Sequence, residues 1–384
     1  MVDISSVYSR VRHAYGKIAK VSEPLYNMPP LRVTFEVTYR CNLSCSFCFQ
    51  EFARVESPEF RKSYELSPEE LSEAVTGLPK LSLITFNGGE VFVRRDFPDL
   101  LRKITRQGRR FNIVTNGTIL SEDKVKLLVD ETNALSVGIS IDGIGETHDE
   151  IRRQPKAFDR TVKNMRELVA YREKSGKRFP VVDMKTVITS ENIDELVDIY
   201  QLGADIGVDY LTFSCLRTSE LIFALPCRAS MEDEAYSDLP PSLDTDVDTN
   251  ILRAKLEKIV VLAEEGGPAV RFYPDYPSIE GVLKYYAGHG EMEDYEPCHA
   301  PWTNIRVAPN GDVYPCLSYK MGNVKEQELL EIWRGEEIRR FRGLFSQGNV
   351  AACMGCCNLT ACKGISYEEP EPGLLSVSMS EVQA

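Results

Sequence analysis

Three cysteines, Cys41, Cys45 and Cys48, stand within eight residues in the stretch VTYRCNLSCSFCFQEF. Thiolates are ligands for soft metals, yet no histidine or fourth cysteine lies near enough in sequence to complete a tetrahedron. A structural zinc site closes all four positions, commonly with two pairs of closely spaced cysteines. An iron–sulfur cube has four irons, so three thiolates leave one iron to bind something else. The spacing C-x3-C-x2-C therefore points to a [4Fe–4S] cluster whose open vertex takes a substrate or cofactor. The competing reading is a zinc or electron-transfer protein.

A second group follows late in the chain. Cys298 and Cys316 bracket a hairpin, NIRVAPNGDVYPC, that turns at Asn310–Gly311, and Cys353, Cys356, Cys357 and Cys362 come after a helix. Eleven cysteines in all, clustered in this way, read as metal ligands more readily than as disulfides in a reducing cytosol. A zinc knuckle with four thiolates is the alternative for the second group. Cys215 and Cys227 stand apart and read as small buried hydrophobes.

The elements that must position these ligands alternate. LRVTFEVTY, LSLITFNGG, RFNIVTNG, ALSVGISIDG, VVDMKTVIT and DYLTFSC read as six strands, with amphipathic segments between them. Ser67, Ser121 and Ser190 read as helix N-caps. Strands alternating with helices imply right-handed crossovers, a parallel sheet and ligands at the carboxyl ends of the strands. The fold class expected is α/β: a partial (β/α)6 TIM-like barrel with a small C-terminal Cys-rich domain. Residues 218–250 break the rhythm as an acidic, Pro- and Ser-bearing loop, and a boundary is expected near 290. The helix ILRAKLEKIVVLAEEGG, the strand AVRFYPDY and the helix ELLEIWRGEEIRRFRGLF are also read.

Composition narrows the function. With 43% hydrophobic and 27% charged residues the chain is globular. A net charge of −13 argues against a nucleic-acid backbone as the main partner. No apolar run could span a bilayer, and the N-terminus lacks a secretory signal, so a membrane role is not expected and the location expected is cytoplasmic. Val7, Tyr8, Val11, Tyr15 and Ile18 recur at helical spacing, as in a short helix docking on its own domain.

The triplet, on the loop after the first strand, resembles the radical S-adenosylmethionine (SAM) superfamily. Phe47, before the last cysteine, matches the aromatic that in this family lies near the SAM adenine. FNGGE matches the family's Gly-Gly-Glu, which implies that Gly88, Gly89 and Glu90 receive the methionyl amino group. Glycines permit close backbone approach and a carboxylate accepts from an ammonium. SIDGIGETHDEIR resembles a segment of the SPASM and twitch branches, implying that Ser140 and Arg152 hold the SAM carboxylate and ribose. His148 would then orient the segment, and Asn116, in IVTNG, would face the site.

The late cysteines begin a SPASM signature, C-x12-G-x4-C then C-x2-C-x5-C, but the next expected cysteine position is Ser366. The resemblance then favours the shortened twitch form with one auxiliary [4Fe–4S] cluster on Cys298, Cys316, Cys353 and Cys356, with Cys357 or Cys362 able to replace Cys356. Domains follow: an N-terminal helical extension over 1–30, a radical SAM partial barrel over 31–290, an auxiliary-cluster domain over 291–365 and a tail over 366–384. The activity implied is reductive cleavage of SAM to a 5′-deoxyadenosyl radical that takes hydrogen from a substrate, in a dehydrogenation assisted by the second cluster. Peptide epimerisation, thioether or carbon–carbon bond formation, and redox-neutral carbohydrate or lipid modification are the alternatives. Partners implied are a small-molecule or peptide substrate and an electron donor such as flavodoxin or ferredoxin. Thr186, Ser214, Cys215 and Arg217 are candidate substrate-lining residues.

Overall fold

Each apolar run becomes a strand whose alternate residues face different layers, the consequence of a two-residue side-chain period. The computed structural model describes residues 11, 14–19, 28–51, 64–217, 245–274, 278–288, 292–316, 319–345, 348–349, 353, 356 and 359–362. Most of the 218–250 insertion, the tail after 365, Cys227 and Cys357 lie outside these residues.

The expected strands all form: β1 (Arg32–Glu36), β2 (Leu83–Asn87), β3 (Phe111–Thr115), β4 (Ala134–Ser140), β5 (Val181–Ile188), β6 (Tyr210–Cys215) and β7 (Ala269–Tyr273). They pair in parallel, each with its neighbour in sequence. β7 therefore extends the expected set of six. Helices at Pro68–Thr76, Phe97–Arg106, Ala157–Lys174 and Leu196–Ile206 make the crossovers. Ser67 caps the first of these through a complete capping box with Glu70. Ser190 does not cap: a short 3-10 turn begins after Asn192, whose side chain bonds Thr189 and Val187. The expected single helix after residue 328 is two, Leu329–Arg334 and Glu336–Leu344, parted at extended Gly335.

The C-terminal part is not a separate layer. β8 (Tyr295–Glu296) pairs with β12 (Thr360–Ala361), while β9 (Asn304–Val307) runs parallel to β1 and carries β10 (Asp312–Tyr314) and β11 (Gly322–Asn323) at the sheet edge. One ten-stranded sheet, β11-β10-β9-β1-β2-β3-β4-β5-β6-β7, thus crosses the boundary expected near 290.

Residues 14–19 are helical and dock on the chain itself. Gly16 lies so close to His299 that a Cβ there would sit 2.5 Å from the His299 Cβ, and Tyr15 donates to the Pro29 carbonyl at 2.5 Å. Ala19 is buried, whereas Val11 and Ile18 are 46% and 52% exposed. The docking face therefore combines Tyr15 of the apolar stripe with Gly16 and Ala19, while Val11 and Ile18 are exposed and Val7 and Tyr8 lie outside the described residues.

The outward positions of the strands form the core with the helices. Phe86 sits at its centre, with ring centroids 5.9 Å from Phe35, 5.9 Å from Phe97 and 5.5 Å from Phe111. Replacing Phe86 by alanine should remove about 3–5 kcal/mol of stability. Urea unfolding should show this as a lower midpoint with an unchanged slope.

Candidate active site at the strand ends

The three cysteines lie on the loop leaving β1, held by the turn leaving β2. Gly89 N–H donates to the Thr38 carbonyl at 2.7 Å and Glu90 N–H to the Arg40 carbonyl at 2.9 Å. A Cβ on Gly88 would meet Thr38 O at 2.3 Å, and one on Gly89 would meet Arg40 O at 2.2 Å. Gly88 also has φ +143°, which disfavours any side chain. The glycines are thus required by the approach of two backbones, that of the turn and that of the segment entering the cysteine loop. Within the loop, Ser46 N–H reaches the Ile151 carbonyl at 2.9 Å and Cys48 N–H the Cys45 carbonyl at 3.1 Å.

Glu90 lies behind the turn that carries Gly88 and Gly89. It is fully buried and does not line the cavity. Its carboxylate accepts from Phe92 N–H at 3.0 Å, the Thr115 hydroxyl at 2.8 Å and Asn116 N–H at 2.7 Å. Both oxygens accept hydrogen bonds that join the ends of β2 and β3. Burial raises its pKa, against the three donors that favour the anion. Gly88 and Gly89 do line the cavity, and so does Asn87, whose buried Oδ1 has no partner among the described residues. Asn87 was not singled out from the sequence, because an asparagine before two glycines looks like ordinary turn chemistry.

Arg152, at the end of the Glu146–Arg152 helix, forms a buried ion pair with Asp142; the two side chains are 9% and 1% exposed. Its Nη1 reaches the Cys45 sulfur at 3.3 Å, and its guanidinium lies 5.9 Å from the Phe47 ring centroid. Burial opposes the charge, but Asp142 and the neighbouring Cys45 sulfur outweigh it and the Arg152 pKa is raised. Its buried Nε has no partner among the described residues and the residue lines the cavity. Asn116 Nδ2 stands 3.8 Å from the Cys41 sulfur and 3.0 Å from Asn42 Oδ1. Two of the three thiols thus have a side-chain N–H beside them. His148 accepts from Asp142 N–H through Nδ1 at 3.1 Å, so it positions the ion pair's carboxylate.

One cavity of about 2900 Å³ runs inside the curved sheet. Cys41, Cys45, Cys48, Phe47, Ser140, Ser214, Cys215 and Arg217 line it, together with Cys298 and Cys316. Thr186 does not; it points outward and donates to the Ile141 carbonyl at 2.7 Å, since Lys185 and Val187 take the inward positions. Glu36 joins the two parts of the chain: Tyr39, Gln50 and Arg306 reach its carboxylate at 3.1, 3.5 and 3.4 Å. The sequence signal was a lone carboxylate in an otherwise apolar strand.

The second cysteine group is stitched together at two points. Cys298 N–H donates to Asn349 Oδ1 at 2.6 Å, and the β8–β12 pairing lays residues 360–361 against 295–296. Cys353 and Cys356 are buried, with Cys356 N–H on the Cys353 carbonyl at 3.0 Å. Cys362 lies farther along, its N–H on the Asp294 carbonyl at 2.8 Å. Among the described residues no three Cys, His, Asp or Glu side chains converge as a single metal ion requires. Thiolates on separate irons of a cube need no such convergence.

The residues fit the groups that the sequence pointed to. Three thiols lining one cavity, two of them beside a side-chain N–H, suit an iron–sulfur cube, and the unpartnered Asn87 Oδ1 and Arg152 Nε supply an acceptor and a donor for an amino-acid zwitterion.

Comparison with known proteins agrees with this geometry. Residues 35–203 match the family described as the radical SAM superfamily, and residues 298–357 match SPASM, an iron–sulfur cluster-binding domain. Fe-coproporphyrin III synthase of Methanosarcina barkeri is 33% identical over 86% of this chain and 82% of its own. Mycofactocin maturase of Mycolicibacterium smegmatis is 24% identical over 87% and 77%. In fold, Streptococcus suis SuiB bound to S-adenosylmethionine superposes with a TM-score of 0.57 at 17% identity, covering 86% of this chain and 71% of that one.

Two predictions follow from the bracing. Glu90→Gln places an amide NH2 against N–H donors, so it should cost about 1–3 kcal/mol, and iron retention after desalting should fall with it. The second concerns pH. Burial first, then the charge of Arg152, holds His148 down to about 3 against an ordinary 6.5. Between those values the unfolded chain binds the extra proton, so this group's contribution to stability is present above about pH 6.5 and is lost as pH falls towards 3. The stability gap between the natural chain and His148→Asn should therefore narrow on acidification over that window, as measured by denaturant titrations at several pH values.

Proposed function

The chain belongs to the radical SAM superfamily, and from that membership we propose that it carries out a net two-electron oxidation of a substrate held in the central cavity. It is a radical SAM enzyme with a SPASM domain, related to maturases of cofactors and peptides. The first domain implies a [4Fe–4S] cluster and SAM, and the second implies auxiliary iron–sulfur ligation. Together they supply a 5′-deoxyadenosyl radical able to take hydrogen from an unactivated carbon, and a further redox centre.

The chain's own residues do the rest. Cys41, Cys45 and Cys48 hold the first cluster, and Cys298, Cys316, Cys353 and Cys356 the second. Asn87 and the backbone of Gly88 and Gly89 receive the methionyl amino group, with Glu90 fixing that turn from behind. Ser140 and Arg152 serve the carboxylate and ribose, and Phe47 covers the adenine. Arg152 and Asn116 also place N–H groups at two thiolates. The sheet and the hairpin enclose the reacting carbon and keep water from it. Residues 31–290 and 291–365 act as the two functional parts, and a flavodoxin- or ferredoxin-like protein is the electron donor. No helix among the described residues is long and apolar enough to cross a membrane.

One observation carries the oxidation reading: Cys298 and Cys316 line the same cavity as Cys41, Cys45 and Cys48. Removing two hydrogens as one atom, one electron and one proton requires an electron acceptor beside the substrate, and these thiols would hold one there. The second reading is peptide modification, favoured by the likeness to a mycofactocin maturase.

Anaerobically reconstituted protein given dithionite and SAM should release 5′-deoxyadenosine, and the combined Cys41→Ala, Cys45→Ala and Cys48→Ala change should abolish it. Cys298→Ser with Cys316→Ser should retain cleavage of SAM but lose oxidised product. A product at the substrate's oxidation level would overturn the dehydrogenation, and 5′-deoxyadenosine from the triple variant would overturn the enzyme reading.

A further inference from the structure

The cavity continues past the strand ends to the opposite end of the barrel, where the strands begin, and the chemistry there has no place in the reading above. Lys80, Gly108, Arg109 and Arg110 line that floor, in the turns that lead into β2 and β3. The two turns exchange cations. Lys80 donates to the Gln107 carbonyl, and Arg109 Nη1 donates to the Leu78 carbonyl at 2.9 Å. Arg109 is only 4% exposed, and its Nη2, buried as well, has no hydrogen-bond partner among the described residues. Burial lowers its pKa with no acid opposing the shift.

Arg110 adds a third cation, standing 5.7 Å from the Phe179 ring centroid, and Arg178 stands 5.5 Å from the same ring. The acids at this end are directed elsewhere. Asp209 pairs with Arg172 and Asp130 with Lys177, while Glu173 reaches towards Gly207 on the far side of the floor. A chain with a net charge of −13 thus gathers cations at one end of its cavity and pairs one buried guanidinium with carbonyl oxygen alone. A buried charge without a counter-charge is costly, and an unsatisfied buried donor adds to that cost.

We propose that this floor is an oxyanion site, in which a phosphate or carboxylate accepts from Arg109 Nη2 and is neutralised by Lys80 and Arg110. The anion is either free in solution or the far end of an elongated substrate whose other end reaches the cysteine loop. Planar guanidinium donors suit two-oxygen anions, and the ammonium adds a point charge.

The test needs neither cluster nor SAM, so its outcome is independent of the proposed reaction. Isothermal titration of the full chain with inorganic phosphate, at constant ionic strength, should show saturable binding of one anion. Arg109→Gln should weaken it at least about tenfold, the effect of losing a charge-assisted hydrogen bond. Lys80→Gln with Arg110→Gln, both at exposed side chains, should also weaken it, while Lys258→Gln, an exposed control on the Thr249–Glu264 helix, should not. If Arg109→Gln does not fold, the exposed double variant decides alone. Heat that does not saturate, or that is equal in all variants, would overturn the site and leave water as the partner of Nη2. The tetracarboxylate coproporphyrin III separates the two sources. Mutual exclusion with phosphate identifies the floor as the end of a substrate subsite, and independent binding identifies a separate free anion.

Discussion

The site depends on a buried cation, Arg152, placed between the Asp142 carboxylate and the Cys45 sulfur and joining them. Taking a guanidinium and a carboxylate out of water costs several kcal/mol per ion, and mutual attraction alone often does not recover it. Here each member has further partners. Asp142 also accepts from Val187 N–H at 2.7 Å, and its own carbonyl accepts from Asn192 Nδ2 at 3.0 Å. The arrangement therefore ties the Glu146–Arg152 helix, the end of β5 and the cysteine loop to a single charge. Such a pair contributes less to net stability than to fixing one geometry. What the pair fixes is the position of Cys45 relative to the ends of the strands.

The same economy links the two parts of the chain. Glu36 at the end of β1 is reached by Gln50 from beyond the cysteine loop and by Arg306 from β9. Because β9 adds to β1 in parallel register, with Arg32 opposite Asn304 and Phe35 opposite Val307, the hairpin carrying Cys316 is positioned by backbone hydrogen bonds. A linker would leave the two cysteine groups free to move apart. A shared sheet holds both against one cavity.

Much of this was legible in the sequence, and the failures share a cause. The triplet at Cys41, Cys45 and Cys48 is local, so spacing alone conveys its chemistry. The strands were legible because burial on one face imposes a two-residue period. Thr186 was misread and Asn87 missed because their roles are set by direction, not by position. Glu90 turns behind the glycines, Thr186 falls on the outward phase of β5, and Asn87 falls on the inward phase of β2. The parallel addition of β9 to β1 is a contact between residues far apart in sequence, and no local pattern encodes it.

That phase also explains how a barrel can be hollow. Closed (β/α)8 barrels fill their interior with layers of branched aliphatic side chains. Here the outward residues are the aliphatic and aromatic ones: Val33, Phe35, Ile84, Phe86, Val137, Ile139, Val182, Met184, Leu211 and Phe213 are at most 1% exposed. The inward ones include Thr34, Thr85, Asn112, Ser136, Gly138, Asp183 and Thr212, which are short or polar, and several pair with one another: Ser136 with Asn112 at 2.9 Å, Thr212 and Lys185 with Asp183 at 2.7 Å each. Hydrophobic stabilisation therefore resides between sheet and helices, and none of it depends on filling the centre. Lys185 even lies across Gly138, where a Cβ would sit 2.5 Å from its Cε, so the sheet trades a side chain for the room that a charged one needs. An interior built this way tolerates a polar guest without loss of core, which is the property an enzyme needs if it is to admit a cofactor and a substrate together.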